Sequence, residues 1–159
     1  MKKYRPALLF LLLFLLPAPA HAWPAMVVDV ADGDTITVLH NNRRIRIRLY
    51  GIDCPERDQA YGQNARQYMA GLAAGKTVEI DPLDTDDYGR TVALVSLGSL
   101  CLNEQMIKAG YAWVPRHHCR QPPRCAAWRD LAHRARTNTI GLWHDANPVP
   151  PWAWRNSHR

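Results

Sequence analysis

Five charged side chains in the first 90 residues have the types and spacing that chemistry on a phosphate requires. Asp34, Asp53 and Glu56 are carboxylates at predicted turns or strand ends. Hard oxygen ligands of this kind suit Ca²⁺ or Mg²⁺ better than a soft metal. Arg48 and Arg90 add guanidinium groups, which bind phosphate oxygens bidentately and stay charged at any physiological pH. Together they suit a site that handles a polyanion with the help of a divalent cation.

Each of these residues also has an ordinary structural explanation when it is taken alone. The Asp-Gly-Asp segment at 32–34 is typical of a hairpin turn, and Asp-Cys-Pro-Glu at 53–56 is typical of a strand end. Arg48 fits one member of a solvated strand face, and Arg90 fits an ion pair with a neighbouring aspartate. The functional interpretation therefore depends on all of them occurring together.

The order of apolar and polar residues predicts the elements that position these groups. Alternation over residues 43–52 predicts a strand with Ile45 and Ile47 on one face and Arg48 on the other. Further strands are predicted at 26–30, 35–39, 77–80 and 91–97, helices at 59–74, 102–109 and 126–136, and an extended tail at 148–154. Five strands and three α-helices in one small domain indicate an α+β fold. A curved five-stranded sheet that closes on itself would leave no exposed edge.

The composition fits one packed domain and excludes fibrous, coiled-coil and repeat proteins. The 159 residues are 47% hydrophobic, which allows a core and argues against global disorder. Lys and Arg outnumber Asp and Glu by 20 to 14. Eight arginines follow residue 111, whereas the acidic residues gather earlier. A basic surface beside an acidic cluster suits a polyanion, although an arginine-rich solvated helix face would give the same pattern.

The first 22 residues have the composition of a secretory signal peptide. A basic start is followed by nine apolar residues at 8–16 and by Ala-His-Ala at 20–22. An uncleaved anchor is the alternative, but a membrane span takes about 20 apolar residues. The sequence thus predicts a signal peptide at 1–22, a domain at 23–145 and a Pro/Trp-rich tail at 146–159. The mature protein is expected to be secreted or periplasmic, without a stable membrane anchor.

Cysteine spacing leaves two structures open near residue 120. The four cysteines are Cys54, Cys101, Cys119 and Cys125. Export permits disulfides, and Cys119 and Cys125 bracket a short loop, so a disulfide between them is predicted. With His117 and His118 they could instead form a tetrahedral zinc site. For the first two cysteines, a bridge and a pair of free thiols both remain open.

Taken together, the charged residues follow a pattern of separate blocks. The blocks are Asp-Gly-Asp-Thr at 32–35, Arg-x4-Asp-x-Pro-Glu at 48–56, Asp-x-Tyr-Gly-Arg at 86–90, Asn-Glu at 103–104 and Gly-Leu-Trp at 141–143. In order and spacing this resembles the thermonuclease family, the staphylococcal-nuclease-like domain, in an exported bacterial member. The resemblance runs over residues 26–143 and implies a five-stranded OB-fold β-barrel with three helices. It also implies a Ca²⁺-dependent phosphodiesterase, an endonuclease that cuts DNA and RNA.

The resemblance implies a role for each carboxylate. Asp34 and Asp53 would bind calcium, and the backbone carbonyl of Cys54 would be a third protein ligand. Glu56 would be the general base that takes a proton from the attacking water. The family prototype has Thr where this sequence has Cys54, but a main-chain carbonyl ligand does not depend on the side chain.

The resemblance also implies which residues hold the substrate. Arg48 and Arg90 would bind the phosphate, and Tyr88 matches a family tyrosine that contacts the phosphate of the nucleotide. Trp113 lies in the neighbourhood where the prototype has nucleotide-binding tyrosines. It could stack on a base or be a core residue, and both interpretations stay open.

Two other classes of function compete with a nuclease that acts as a monomer. A non-catalytic OB-fold module could grip nucleic acid without cutting it, and a zinc-stabilised interaction protein could be built on the His/Cys cluster. The complete set of five charged residues separates the first alternative from catalysis. A module that only binds has no physical reason to keep all five, so the sequence favours catalysis.

Overall fold

Alternating apolar residues place five long strands in the first two thirds of the chain. The computed structural model describes residues 22–158, so the predicted signal peptide at 1–22 lies almost wholly outside the described residues. The strands are β1 (Trp23–Val30), β2 (Thr35–His40), β3 (Arg43–Leu49), β4 (Thr77–Thr85) and β5 (Thr91–Leu97). β1 begins earlier than predicted, because it pairs with β4 from Trp23 onward. β4 ends later than predicted, because it pairs with β5 as far as Thr85.

These strands close into a barrel. Neighbours follow the order β3-β2-β1-β4-β5, and β3 also pairs in parallel with β5, with Arg48 opposite Val92. A two-residue strand, β6 (Leu100–Cys101), extends the sheet beyond β5. Closure removes the open edges of the five main strands. The five-stranded OB-fold barrel and the α+β class predicted from the sequence are therefore confirmed.

Within residues 22–158 four α-helices accompany the barrel, one more than predicted. They are α1 (Gly62–Ala73), α2 (Leu102–Lys108), α3 (Pro122–Thr137) and α4 (Pro151–Ser157), and a short 3-10 helix spans Gly141–His144. The expectation of an extended tail at 148–154 is wrong, because α4 starts within it at Pro151. Proline is well tolerated in the first turn of a helix, where its missing N–H has no helical partner to lose. The same property moves the start of α3 forward to Pro122. None of the helices described at 22–158 is long and apolar enough to cross a bilayer.

The barrel interior and two helices share one apolar core. Ile36, Ile47 and Ile80 from the strands are fully buried, as are Met69 of α1 and Met106 of α2. Burying a side chain of this size contributes about 1.5–3 kcal/mol. The alternation predicted along β3 is confirmed, because Ile47 and Leu49 are buried whereas Arg44 and Arg46 on the opposite face are exposed.

The structure distinguishes between the disulfide and the zinc site that were considered near residue 120. The sulfur atoms of Cys119 and Cys125 are 2.01 Å apart and form a disulfide, as predicted. A disulfide sulfur is not the thiolate that zinc requires, so the zinc alternative with His117 and His118 is wrong. Among the described residues the other two cysteines are free, which decides that question in favour of thiols.

Alkylation under denaturing conditions should report this pairing. Before reduction, reagent should label Cys54 and Cys101 only, because the sulfurs of Cys119 and Cys125 are bonded to each other. After reduction all four should react. Intact-mass spectrometry counts the labels, and labelling of all four without reductant would contradict the disulfide.

Gly62 at the start of α1 allows the segment 53–61 to pack closely against the helix. A Cβ on Gly62 would collide with the backbone carbonyl of Glu56, whereas one on Gly71 in the same helix would meet nothing within 4 Å. Gly71→Ala should therefore stabilise the protein by about 0.5–1 kcal/mol, since alanine is the better helix former. Gly62→Ala should instead lower the free energy of unfolding and shift Glu56. Denaturant unfolding of both variants is the measurement, and equal stabilisation by the two would contradict the close approach.

Candidate active site

The charged residues singled out in the sequence meet in one cleft on the barrel. Its volume is about 450 Å³. It is lined by the predicted catalytic and metal-binding residues Asp34, Arg48, Asp53, Cys54, Glu56 and Arg90, and also by Tyr88, His118 and Arg155. Residues as far apart in sequence as Asp34 and Arg155, 121 positions, are thus brought together. The barrel does this by pairing the start of β2 with the end of β3, where Thr35 lies opposite Arg48.

Arg48 is the centre of the cleft. Its Nη1 lies 3.1 Å from Asp34 Oδ1 and its Nη2 lies 3.0 Å from Asp53 Oδ1. Nη1 also donates to the carbonyl of Leu49 at 3.1 Å. Burial alone would lower the pKa of Arg48, but the charges of Asp34 and Asp53 outweigh it and raise that pKa. The guanidinium therefore stays charged and holds the two carboxylates in fixed positions.

Asp34 is fixed by the turn between β1 and β2. Its backbone N–H donates to Asp32 Oδ1 at 3.0 Å, and its carbonyl accepts from Leu49 at 2.8 Å. The Cys54 N–H donates to Asp34 Oδ2. Burial raises the pKa of Asp34 well above the usual value, and the nearby charges of Asp32 and Asp53 add to that effect against Arg48. The cluster thus holds more carboxylates than Arg48 alone can compensate, which favours a further cation.

Asp53 and Glu56 lie on the segment that leaves the barrel after β3. Asp53 is 1% exposed and is held by paired backbone hydrogen bonds with Trp113, at 3.0 and 2.9 Å. Glu56 begins a turn in which Gln59 Oε1 accepts from the Glu56 N–H at 3.1 Å. The Glu56 side chain remains 34% exposed towards the cleft. A buried carboxylate and an accessible one therefore lie side by side.

Arg155 is a residue of this cleft that the sequence analysis missed. It comes from α4, and its Nη2 lies 2.9 Å from Asp53 Oδ2 while its Nη1 lies 2.6 Å from Glu56 Oε1. Hydrogen bonding to Asp53 and Glu56 raises its pKa. The sequence signal was weak, because Arg155 is 102 residues from Asp53 and directly follows the stretch at 148–154 that was predicted to be extended. An arginine on an amphipathic turn after a Pro-Pro start was the available clue.

Arg90 lies at the cleft and also forms the ion pair that its neighbouring aspartates suggested. Its partner is Asp86, with 2.7 Å between Nε and Oδ2. Asp86 further accepts from the N–H groups of Tyr88 and Arg90 at 3.0 and 2.9 Å, which fixes the turn. Burial would raise the pKa of Asp86, but these hydrogen bonds outweigh it and lower that pKa. The ion pair thus orients the Arg90 side chain at the cleft.

The two aromatic candidates differ in position. Tyr88 is 84% exposed at the rim of the cleft, with the Arg90 guanidinium 5.4 Å from its ring. Trp113 is half-buried and does not line this cleft; its ring lies 5.0 Å from that of Trp143 and 6.4 Å from that of Trp152. Trp113 therefore belongs to an aromatic cluster, and its backbone positions Asp53.

His118 adds a neutral group to the cleft wall. Burial lowers the pKa of His118 to about 4, and the positive charge of Arg48 contributes in the same direction. The ring is therefore uncharged at neutral pH. It adds no charge to the cluster of arginines and carboxylates.

The donor set fits a hard divalent cation. Asp34 and Asp53 converge on the same guanidinium, and Glu56 lies beside Asp53 across Arg155. Carboxylate oxygens of this kind suit Ca²⁺, which completes its shell with carbonyl oxygens and water. Within residues 22–158, no three His, Cys, Asp or Glu side chains converge closely enough to hold an ion by themselves. A cation would therefore depend on ligands beyond these side chains.

Comparison with known proteins finds one matching family and several similar proteins. The family described as "Staphylococcal nuclease homologue" matches residues 46–145. A protein named "Uncharacterized endonuclease" from Escherichia coli O157:H7 is 40% identical over 164 residues, covering 98% of this chain and 99% of that protein. "Micrococcal nuclease" from Shigella flexneri is 37% identical over 142 residues, covering 84% and 80%. "Protein ParB" from Escherichia coli is 37% identical over 155 residues, covering 90% and 86%.

Proposed function

This chain belongs to the family of staphylococcal nuclease homologues, and we propose that the cleft around Arg48 is its calcium-dependent catalytic site. Membership makes the protein a phosphodiesterase that acts on nucleic acids. The observation that carries the proposal is the convergence of three carboxylates and two arginines on one cleft. The substrates proposed are DNA and RNA, since none of these groups reads a base.

The side chains divide the proposed hydrolysis between them. Arg48 and Arg90 bind the non-bridging oxygens of the phosphate and offset the charge that develops there. Glu56 accepts a proton from water as the water oxygen bonds to phosphorus. The opposite P–O bond breaks, and the leaving oxygen takes up a proton from solvent.

The metal role rests on the remaining carboxylates. Asp34, Asp53 and the backbone carbonyl of Cys54 are proposed to hold Ca²⁺. When bound, the ion would supply positive charge beside the phosphate. Tyr88 is proposed to contact the phosphate of a bound nucleotide, and its exposure at the rim of the cleft supports this. Trp113, which packs outside the cleft, is left out of the proposed substrate site.

We further propose that the protein works outside the cytoplasm. The signal-peptide pattern at 1–22 supports this. So does the disulfide between Cys119 and Cys125, because disulfides persist mainly in oxidising compartments.

The test is digestion of single-stranded DNA and RNA by the protein starting at Trp23, with Ca²⁺ and with excess chelator. Cleavage that requires Ca²⁺ supports the proposal. Absence of cleavage by the folded protein, with Mg²⁺ and Mn²⁺ also tried, would favour a module that binds nucleic acid without cutting it.

Replacing the proposed base should separate binding from chemistry. Glu56→Gln keeps the size of the side chain but removes its ability to take a proton, so kcat should fall by about 10²–10⁴-fold. Affinity for single-stranded DNA, measured by fluorescence anisotropy, should change only slightly. Glu79→Gln on the exposed side of β4 is the matched control and should keep the parental rate. A full rate in Glu56→Gln would remove Glu56 as the base.

Replacing Arg90 by lysine should test whether bidentate binding by its planar guanidinium is needed for activity. Arg90→Lys keeps the charge but cannot bind two oxygens at once. The loss of one charge-assisted interaction, worth about 1.5–3 kcal/mol, should lower kcat/KM by about 10–100-fold. Arg134→Lys on the exposed face of α3 is the control. Near-normal turnover of Arg90→Lys would reduce Arg90 to a structural partner of Asp86.

A further inference from the structure

Arg155 contacts the two carboxylates that the proposed mechanism needs free. Its Nη2 lies 2.9 Å from Asp53 Oδ2, and its Nη1 lies 3.3 Å from Asp53 Oδ1 and 2.6 Å from Glu56 Oε1. One guanidinium thus engages both oxygens of Asp53 and one oxygen of Glu56. Arg155 also lies beyond residue 145, where the family match ends.

Packing of α4 delivers this side chain to the cleft. Gln59 Nε2 donates to the Val149 carbonyl at 2.6 Å, which ties the chain before α4 to the segment that carries Glu56. Trp152 lies edge-on to Trp113, with 6.4 Å between ring centroids. Trp154 borders a small cavity together with Gln59 and Trp113. Both Trp neighbours of Arg155 are therefore anchored, and the position of its backbone is fixed.

The contacts of Arg155 conflict with the proposed roles of its partners. A cation at Asp53 requires lone pairs that Arg155 occupies, and a general base requires a free carboxylate oxygen at Glu56. The Asp53 side chain is 2% exposed, whereas that of Arg155 is 39% exposed. Arg155 is the partner that has a route to solvent. It can therefore swing outward while Asp53 and Arg48 keep their places.

We propose that Arg155 is an internal counter-cation of the catalytic carboxylates, which a divalent cation must displace from Asp53 and Glu56 before the cleft becomes active. The helix α4 thereby sets the metal concentration at which the nuclease works. This inference rests on the proposed function, because it takes Asp53 as a metal ligand and Glu56 as the base.

The proposal predicts the direction in which the Kd for Ca²⁺ changes when Arg155 is removed. For a ligand that binds only when a competing group has left, the apparent Kd equals the intrinsic Kd divided by the fraction of molecules in the competent state. Removing Arg155 should therefore tighten Ca²⁺ binding. If Arg155 instead held the carboxylates in place for the metal, its removal would weaken binding, and if it served only the substrate phosphate, Ca²⁺ affinity would not change.

Calorimetric titration of the full mature chain with Ca²⁺, in the absence of nucleic acid, tests this prediction. Arg155→Met, which keeps the length of the side chain without its charge, should lower Kd by at least about tenfold. Arg155→Lys should fall between, since a single ammonium cannot match the fork that spans both carboxylates. Arg57→Met is the control, because Arg57 is exposed in the same segment as Glu56 and its loss changes net charge equally. It should change Kd by less than about twofold, as expected for a screened surface charge.

Each other result has a definite meaning. Equal Kd values for the parent and Arg155→Met, or weaker binding by Arg155→Met, would overturn the counter-cation while leaving the calcium site intact. Equal tightening by Arg57→Met would show a general charge effect and overturn it as well. Absence of Ca²⁺ binding in every folded variant, checked by thermal melting, would overturn the proposed calcium site and this inference with it.

Discussion

The cleft depends on a buried guanidinium that must satisfy two carboxylates at once. Asp34 and Asp53 are withdrawn from water on separate segments, and Arg48 reaches both from β3. Breaking a buried ion pair by removing one partner costs about 3–5 kcal/mol, so Arg48 is as necessary to the segments that it joins as to any ligand. The same demand explains why further positive charge gathers here. One buried arginine does not compensate the charge of three neighbouring carboxylates, and Arg155 of α4 provides a second guanidinium.

Positioning of the cleft is shared between rigid and adaptable parts. Arg48 sits on a strand that is paired on both sides, with Thr35 on β2 and Val92 on β5. Glu56 lies on an irregular segment, where its backbone N–H donates to the Gln59 side chain and its carbonyl lies close to the glycine that begins α1. The electrostatic framework is therefore fixed by the barrel. The group proposed to move a proton lies on the part of the cleft that can adjust.

Local patterns in the sequence predicted much of the secondary structure around the cleft. The alternation along β3 predicted which side of the strand Arg48 occupies, and the turn residues at 32–34 predicted the break before β2. The barrel and the set of cleft residues came from the order of separate blocks, since no local pattern says which distant strands pair. The position of Arg155 in the cleft was not predicted, because its partners Glu56 and Asp53 are 99 and 102 residues away in sequence. The helix that presents it starts at a proline, which in the sequence favours an extended chain as readily as a first helical turn.

The parallel pairing of β3 with β5 has a consequence for the newly made chain. Arg48 lies on β3, and Arg90 directly precedes β5, so the pairing of these two strands brings the two arginines to one cleft. Pairings of this kind demand a large loss of chain entropy and form slowly compared with local structure. A partly folded molecule, even with its first hairpin complete, therefore keeps its two arginines apart. If the two arginines act as proposed, hydrolysis becomes possible only when the barrel closes, so a chain that is still being synthesised cannot yet cut nucleic acid.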